Sequence, residues 1–294
     1  MITIAITAFK EERTIGRAIK AILNQKIKEK YELLIVAPDI ETLNAAKKYR
    51  EKHSQIKLIK DAGEGKPAAL NLIFKKAKGR IIVLTDGDVF VGKNAISELL
   101  NGFTSPKVGA VSGRVISLNS RDNMLGYWSH LLVDAAHKER MKRMKRKQFL
   151  ECSGYLYAIR NVVKKIPKEA LSEDALISHI IAKKGYLINY APKACVYVKF
   201  PTTFTDWIKQ KKRSAGGYLQ IRRLIKGKEN QMRTFLKEAI HFWFPFKYAK
   251  NLKETFWSLI LLFARAYLWI LIFIDVKIKR KKLKQIWLRV ETTK

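Results

Sequence analysis

The spacing of apolar residues along the first hundred positions changes repeatedly between two periods. Short runs rich in β-branched residues predict four strands, at residues 2–7, 32–37, 56–60 and 80–85. The segments between these runs have the apolar repeat of amphipathic helices. Strands that alternate with helices predict an α/β fold, in which helices flank a mostly parallel sheet.

Acidic residues follow the predicted strands closely, at Glu11, Asp39, Asp61, Asp86 and Asp88. Ligands of such sheets bind outside the carboxyl ends of the strands, so we expect these side chains to gather at one edge. Carboxylate oxygens are ligands that Mg²⁺ and Mn²⁺ prefer. The pattern therefore predicts a divalent-cation site, although the Asp-Gly-Asp segment by itself is more typical of an ordinary turn.

The charge of the chain indicates anionic partners. Among 294 residues there are 59 Lys and Arg against 25 Asp and Glu, a formal net charge of +34. Phosphates, nucleic acid and an acidic membrane surface all fit this balance. Cys152 and Cys195 are the two cysteines, so a disulfide framework or a cysteine metal site is not expected. The opening segment predicts a strand and not a signal peptide.

The C-terminal third contains an apolar segment at residues 256–274, interrupted by Arg265. Its length suffices to cross a hydrocarbon core of about 30 Å. The aromatic segment 239–248 contains a proline and suits an interfacial or re-entrant position. Lysines flank the apolar segment on both sides, so the distribution of positive charge does not predict how the segment would be oriented in a membrane. One membrane span, helices lying in the membrane plane and a buried helical hairpin all remain open, and we expect membrane attachment.

A basic run at residues 137–147 has two interpretations. Seven of the ten residues at 138–147 are Lys or Arg. Such a run is usually a solvated helix face, but beside a membrane it equally fits contact with anionic lipid.

Six segments resemble, in order, the motifs of family 2 glycosyltransferases with the GT-A fold. They are ITAFKEERTI (6–15), EGKPAALN (64–71), TDGDV (85–89), CSGYLYAIR (152–160), SEDALIS (172–178) and FPTTFTDWIKQKKRSAGG (200–217). The resemblance implies a Rossmann-like GT-A sheet, a UDP- or GDP-sugar donor and Mg²⁺ or Mn²⁺. It also implies a membrane-associated enzyme at the cell membrane, with its catalytic domain on the cytoplasmic side.

Two positions depart from the motifs of this family. Where the family has Asp-Asp-Gly-Ser after the second strand, this chain has VAPDIET at 36–42, with Asp39 as its nearby carboxylate. Ser214 stands where the family has the tryptophan of Gln-x-x-Arg-Trp. The first departure leaves the identity of the base open, and the second weakens the case for a processive polymerase.

The resemblance also implies roles for individual residues. The implied donor-binding residues are Thr7, Ala8, Phe9, Glu11, Asp39, Lys66, Asp86, Gly154, Gln210 and Arg213. Asp86 and Asp88 are the implied metal ligands. Several of these residues have simpler interpretations: Glu11 and Asp39 as solvated loop acids, Gly154 as a turn residue, and Arg213 as part of a basic surface.

Asp174 is the implied catalytic base, supported by its neighbour Glu173. The local sequence also fits a plain helix start, because Ser172 is a good N-cap and acids are favoured in a first turn. We expect this helix to run to Lys184 and to stop at Gly185. A single base opposite the leaving group implies inversion at the anomeric carbon.

The sequence thus predicts a GT-A catalytic domain at 1–204 and an interfacial or transmembrane helical region at 205–294. The predicted function is inverting transfer of a sugar to a hydroxyl or phosphate, on a lipid-linked or saccharide acceptor. The alternative is a non-catalytic basic protein that binds nucleic acid or an anionic membrane. Nucleic acid is the less expected partner, because most tryptophans lie in apolar C-terminal segments and are not interleaved with basic residues.

Overall fold

The computed structural model describes residues 1–224, 243–275 and 293. The chain divides into two compact units. The first comprises residues 1–116 and 140–198, and the second comprises residues 117–139 and 199–293. The helix α5 (Met124–Lys145) contributes residues to both units.

In the part of the chain that the structure describes, eight strands form one sheet. They are β1 (Ile2–Thr7), β2 (Tyr31–Ala37), β3 (Ile56–Lys60), β4 (Ile81–Asp86), β5 (Phe90–Val91), β6 (Val108–Ser117), β7 (Leu156–Arg160) and β8 (Leu187–Val198). Their order is β3-β2-β1-β4-β7-β6-β8-β5. Strands β1 to β4 pair in parallel, whereas β7 pairs antiparallel with β4 and β6, and β5 pairs antiparallel with β8.

Helices connect and cover these strands. They are α1 (Ile15–Leu23), α2 (Ile40–Lys52), α3 (Lys66–Lys76), α4 (Ala95–Asn101) and α6 (Glu173–Lys183). Apolar side chains of β1, β2 and β4 are almost entirely buried, as expected for parallel strands with both faces covered. The predicted α/β fold is confirmed, and each of the four predicted strands agrees with the structure to within one residue at each end.

The second unit has an aromatic core formed by Tyr127, Trp128, Leu131, Trp207, Leu261 and Ala264. These residues come from α5 and from the helices α7 (Phe204–Leu224) and α9 (Leu252–Phe273). The short helix α8 (Phe244–Tyr248) packs against this core. Polar contacts fix α9 in place: Trp128 Nε1 donates to the carbonyl of Trp257 at 2.8 Å, and Arg121 makes two bonds to the Glu254 carboxylate.

Helix α9 contains most of the predicted apolar segment. Within the described residues it is long and apolar enough to cross a membrane. Residues 239–242 of the predicted interfacial segment lie outside the described residues. So do the lysines that follow the apolar segment, in KIKRKKLK at 277–284. The described remainder of the interfacial segment forms α8.

The basic run at 137–147 is not uniformly solvated. Arg143 is buried, and its Nη1 donates to the carbonyl of Phe149 at 2.8 Å. Arg140 Nε donates to the carbonyl of Glu151 at 3.0 Å. Part of the run therefore holds the segment that follows it, which neither sequence interpretation foresaw.

Candidate active site

The site begins where β1 and β4 end side by side. Thr7 and Asp86 are register partners of these parallel strands. Their side chains meet, with Thr7 Oγ1 donating to Asp86 Oδ1 at 2.8 Å. The Gly87 amide then donates to the Thr7 carbonyl at 2.9 Å. The ends of β1 and β4 therefore bring Asp86 against a polar side chain at the carboxyl edge of the sheet.

Glu11 reaches the same place from the loop after β1. A Cβ atom on Gly87 would lie 2.3 Å from Glu11 Oε2 and 2.9 Å from the Cβ of Ala8. The glycine of Asp-Gly-Asp is therefore required by close packing. The side chain of Phe9 is 44% exposed, and the Glu11 amide donates to Thr42 Oγ1 at 2.9 Å.

Asp39 binds the same loop and caps a helix at the same time. Its carboxylate accepts hydrogen bonds from the backbone amides of Lys10, at 2.8 Å, and Thr42, at 3.0 Å, and also from the Thr42 hydroxyl. Burial opposes ionisation, but these hydrogen bonds hold the pKa of Asp39 below its ordinary value. Lys10 has a φ of +53°, a strained left-handed conformation for a lysine, and its bond to Asp39 supports it.

Asp61, after β3, lies close enough to Asp39 for the charge of that carboxylate to matter. Burial, together with the charge of Asp39, raises the pKa of Asp61. Its carboxylate accepts a bond from the Gly63 amide at 2.7 Å. Thus the acids that follow β2 and β3 are neighbours, as the strand order predicts.

Lys66, the first residue of α3, connects two acidic segments. Its Nζ lies 2.6 Å from Asp86 Oδ1 and 3.2 Å from Glu173 Oε1, and donates to the carbonyl of Gly154 at 3.5 Å. Burial alone would lower its pKa, but the charges of Asp86 and Glu173 raise it well above the ordinary value. The ammonium therefore stays charged and brings the strand-end acid and the α6 acids together.

Asp174 is held at the start of α6 by a glycine backbone. The Gly154 amide donates to Asp174 Oδ2 at 2.7 Å, and a Cβ on Gly154 would lie 3.1 Å from the same oxygen. Burial, and then the charge of Glu173, raises the pKa of Asp174 to about 6. Ser172 occupies the expected N-cap position but makes no capping hydrogen bond with its side chain, and Gly185 ends the helix with φ +83°.

Asp86 and Asp88 supply carboxylate oxygens, the type of ligand that a hard divalent cation prefers. Asp86 and Asp88 are partly buried, and the contacts to Asp86 from Thr7 and Lys66 both use Oδ1. In the described parts of the chain, no group of three or more His, Cys, Asp or Glu side chains is arranged to hold a metal. Two carboxylates suffice for Mg²⁺ or Mn²⁺ only when water and substrate phosphate complete the shell.

A family model described as glycosyltransferase like family 2 matches residues 1–217. The chain belongs to this family. The match contains every residue of the site described above. It also contains the part of α7 that carries Gln210 and Arg213.

Curated relatives are similar over most of the chain. The probable glycosyltransferase YdaM of Bacillus subtilis is 26% identical over 260 residues, which are 83% of this chain and 62% of that protein. A poly-beta-1,6-N-acetyl-D-glucosamine synthase of Staphylococcus aureus is 26% identical over 230 residues, 74% of this chain and 54% of that protein. The chain thus spans less than two thirds of the length of these curated relatives.

Solved structures show the same fold at low identity. The mannosyltransferase PcManGT from Pyrobaculum calidifontis, in complex with GDP-Man and Mn²⁺, aligns with a TM-score of 0.63 and 18% identity, over 97% of this chain and 82% of that one. A fragment of S. aureus TarS in complex with UDP aligns with a TM-score of 0.53 and 15% identity, over 96% and 92%. The fold of this family 2 member is therefore GT-A.

Two of the predicted donor-binding residues of this family 2 chain lie in the second unit. Gln210 is buried and Arg213 is partly buried, both on α7. The residues in the first unit form the contacts described above. The contact of any of these residues with a donor, in either unit, stays a prediction.

Sequence reasoning missed several buried polar residues beside the site. Tyr157, on β7, has a buried hydroxyl that makes no hydrogen bond to the protein. Burial, and then the charges of Glu173 and Asp174, raises its pKa well above the ordinary value. Glu151 and His179 form a buried pair at 3.2 Å. Each lies in an apolar stretch of sequence, where the pattern gives no sign of a functional polar group.

Proposed function

We propose that this chain is an inverting glycosyltransferase that moves a sugar from a UDP- or GDP-sugar to a hydroxyl or phosphate group at a membrane. One observation carries the proposal. The Lys66 ammonium contacts both Asp86 and Glu173, and the Gly154 carbonyl beside it belongs to the residue whose amide holds Asp174. An acid after a parallel strand and a candidate base on α6 thus share one site at the carboxyl edge.

The donor would lie along this edge. Its nucleoside would contact the loop after β1 and the start of α2, and its diphosphate would lie near Lys66 at the start of α3. The residues of the first unit proposed for these contacts are Thr7, Ala8, Phe9, Glu11, Asp39, Lys66, Asp86 and Gly154. Gln210 and Arg213 are proposed as donor-binding residues on the resemblance to family 2 motifs alone. Asp39 already accepts hydrogen bonds from Lys10 and Thr42, which hold its carboxylate in place beside the loop after β1.

Asp86 and Asp88 would hold Mg²⁺ or Mn²⁺. When bound, such an ion neutralises negative charge on the departing nucleoside diphosphate. Lys66 supplies a second, permanent positive charge beside Asp86. The solved structures of similar fold support either nucleotide, since one contains GDP-Man with Mn²⁺ and another contains UDP.

Asp174 would take the proton of the acceptor. A carboxylate with a pKa of about 6 is ionised near neutral pH, and it is a stronger base than an ordinary aspartate. The Gly154 amide holds one of its oxygens at 2.7 Å, and a hydrogen bond from the Ala175 amide also steadies the carboxylate. Direct attack by the acceptor on the anomeric carbon, opposite the leaving group, inverts the configuration. Glu173 would act indirectly, through its contact with Lys66.

The membrane would bind α9. One face of this helix packs on the aromatic core, while the opposite face exposes large apolar side chains. This apolar stripe consists of Leu252, Phe256, Leu259, Phe263, Tyr267, Ile270 and Phe273. Glu254 on the packed face is tied to Arg121, which favours a helix that lies in the membrane plane over one that spans it.

We assign residues 1–204 to catalysis and 205–294 to membrane association, at the cytoplasmic side of the cell membrane. A lipid-linked or saccharide acceptor fits this position. The name of the S. aureus relative, a polysaccharide synthase, supports a saccharide. Nucleic acid is not proposed as a partner.

Turnover of nucleotide sugars tests the activity. The full chain, incubated with UDP- or GDP-sugars and Mn²⁺ in the presence of membrane lipids, should release nucleoside diphosphate, and EDTA should stop the release. Asp88→Ala should reduce the rate at least about 100-fold with the fold retained. Asp122→Ala, at an exposed loop acid of the second unit, is the matched control. Metal-independent oligonucleotide binding without turnover of any donor would overturn the proposal.

Vesicle binding tests the membrane assignment. The full chain should sediment with vesicles of phosphatidylglycerol and phosphatidylcholine, and Phe256→Ser with Phe263→Ser should reduce the bound fraction several-fold. Leu187→Ser, at an apolar residue of the first unit that is also more than half exposed, should leave binding unchanged. An equal loss of vesicle binding in the stripe variant and in the control would show that the apolar stripe is not the membrane-binding surface.

A further inference from the structure

The segment 149–154 is fixed at nearly every residue, although it contains no regular secondary structure. Two arginines of α5 hold its first carbonyls, Arg143 at Phe149 and Arg140 at Glu151. The Ser153 amide donates to Ser112 Oγ at 3.0 Å. The last residue, Gly154, is the one whose amide holds the Asp174 carboxylate.

The same segment is joined to α6 by three successive contacts. Gly154 binds the Asp174 side chain at 2.7 Å. The Cys152 amide donates to Ser178 Oγ at 2.9 Å, and Ser178 Oγ donates in turn to the Asp174 carbonyl at 2.7 Å. The third contact is the pair between Glu151 Oε1 and His179 Nε2, at 3.2 Å.

This pair is unusual because both partners are ionisable and almost fully buried. Glu151 is 2% exposed and His179 is 9% exposed. A buried carboxylate is costly unless it is paired, so an apolar pair of similar volume would serve packing alone equally well. The ring of Phe149 lies against His179, with centroids 4.6 Å apart, and excludes water from one side.

We propose that Glu151 and His179 are positioning residues for Asp174: their buried contact holds segment 149–154 against α6 and so aims the Asp174 carboxylate through Gly154 and Ser178. Neither residue touches substrate. The inference rests on the proposed role of Asp174 as the base. Glu151 and His179 are not among the residues proposed to bind the donor or the metal.

The pair also affects Asp174 electrostatically. The charge of Glu151 adds to burial and to the charge of Glu173 in raising the pKa of Asp174, whereas the charge of Lys66 opposes them. The other ionisable groups facing this cluster are Arg140 and Arg143 on α5, Cys152 in the segment and Tyr157 on β7. Removing the charge of Glu151 should therefore make Asp174 more acidic.

The test uses the full chain with Glu151→Gln, which keeps the shape but removes the charge. An amide is a weaker partner for the His179 ring than a carboxylate, so the base should be held less firmly. We expect kcat to fall about 10-fold, while the donor KM stays within twofold. The acid limb of the kcat profile should move to lower pH. His179→Leu should reproduce the loss of kcat, and His179→Gln, which can still bond to Glu151, should restore most of it.

A matched control and a second readout keep the inference separate from the proposed activity. Glu32→Gln changes another buried, paired carboxylate of the first unit and should leave the acid limb in place. Carboxyl ¹³C titration, with the Asp174 signal assigned by Asp174→Asn, measures the same shift without turnover. Unchanged kcat and an unmoved titration in Glu151→Gln would overturn the inference. If the titration moves but wild-type chain turns over no donor, the positioning contact stands and the proposed function fails.

Discussion

At each end of the parallel strands, a threonine of β1 meets a carboxylate that also binds a lysine. At the amino end, Thr3 Oγ1 donates to Glu32, and Lys57 Nζ lies 2.7 Å from the same carboxylate. At the carboxyl end, Thr7 Oγ1 donates to Asp86, whose second partner is Lys66. The two clusters use the same types of residue at opposite edges of the sheet.

The two clusters differ in how well their charges are balanced. Glu32 accepts a third hydrogen bond, from the Lys78 amide at 2.7 Å, and these bonds outweigh burial and lower its pKa. At the carboxyl end, Lys66 serves both Asp86 and Glu173, with Asp174 nearby and its pKa raised to about 6. The first arrangement stabilises the fold. The second leaves several acids crowded around one lysine, and it is the arrangement proposed to bind a donor.

Asp174→Asn should have the largest effect on activity. The change keeps the side-chain shape and an acceptor for the Gly154 amide, but it removes the proposed base. We expect kcat to fall about 100- to 10,000-fold, the range typical of a lost general base. Single-turnover transfer from the preferred nucleotide sugar measures this. A rate within tenfold of wild type would remove Asp174 from the proposed role.

Lys66→Met should come next, because it removes the cation shared by Asp86 and Glu173. We expect kcat/KM for the donor to fall about 10- to 100-fold, which corresponds to about 1.4–2.8 kcal/mol. Steady-state rates at varied donor concentration give this value. Lys57→Met makes the equivalent change at the amino end and should leave kcat/KM unchanged. Equal losses from the two variants would erase the distinction between the two clusters.

Glu32→Gln should weaken the fold without affecting catalysis. The amide cannot satisfy all three donors that face Glu32, so we expect a loss of about 1–3 kcal/mol in the free energy of unfolding at pH 7. Because folding lowers the pKa of Glu32, this loss should shrink as the pH falls below about 4.5. Urea unfolding at two pH values measures it. A fall in kcat comparable with that of Asp174→Asn would contradict a purely structural role.

Asp174→Asn should also raise the stability of the fold at neutral pH, by less than it costs in activity. Folding raises the pKa of Asp174 from 3.8 to about 6, so its ionised form destabilises the fold. The neutral carboxyl therefore contributes to the free energy of unfolding. This contribution is fully present below pH 3.8 and is lost as the pH rises through 6. The variant escapes this loss, and its stability relative to wild type should increase between pH 4 and 7. Thermal unfolding across this range measures the difference in stability between variant and wild type. This difference should rise with pH for Asp174→Asn and fall with pH for Glu32→Gln.

The carboxyl-edge acids were predictable because strand order places them there. Two apolar runs and the rule for parallel sheets place Asp86 at this edge, but the register that pairs it with Thr7 comes from the structure. The antiparallel strands were harder to recognise, because β6 contains Gly113 and β8 contains Pro192, residues that normally argue against a strand. A Cβ on Gly113 would lie 2.8 Å from the Ala194 carbonyl, so the glycine reflects a contact that the sequence does not show.

Buried polar residues near the site were not predictable from local pattern. His179 lies among apolar residues of α6, and Arg143 lies in a basic run that resembles a solvated face. Their roles depend on segment 149–154, which only the folded chain brings against both helices. Long-range polar contacts of this kind leave no periodic signal in a sequence.

The most direct test of the carboxyl-edge site is a crystal of the full chain soaked with a nucleoside diphosphate and Mn²⁺. An anomalous difference map would locate the ion. The account predicts a peak within about 2.0–2.5 Å of an oxygen of Asp88 or Asp86, with the diphosphate beside it and near Lys66. An ion and nucleotide bound elsewhere, with Asp86, Asp88 and Lys66 contacting neither, would contradict it.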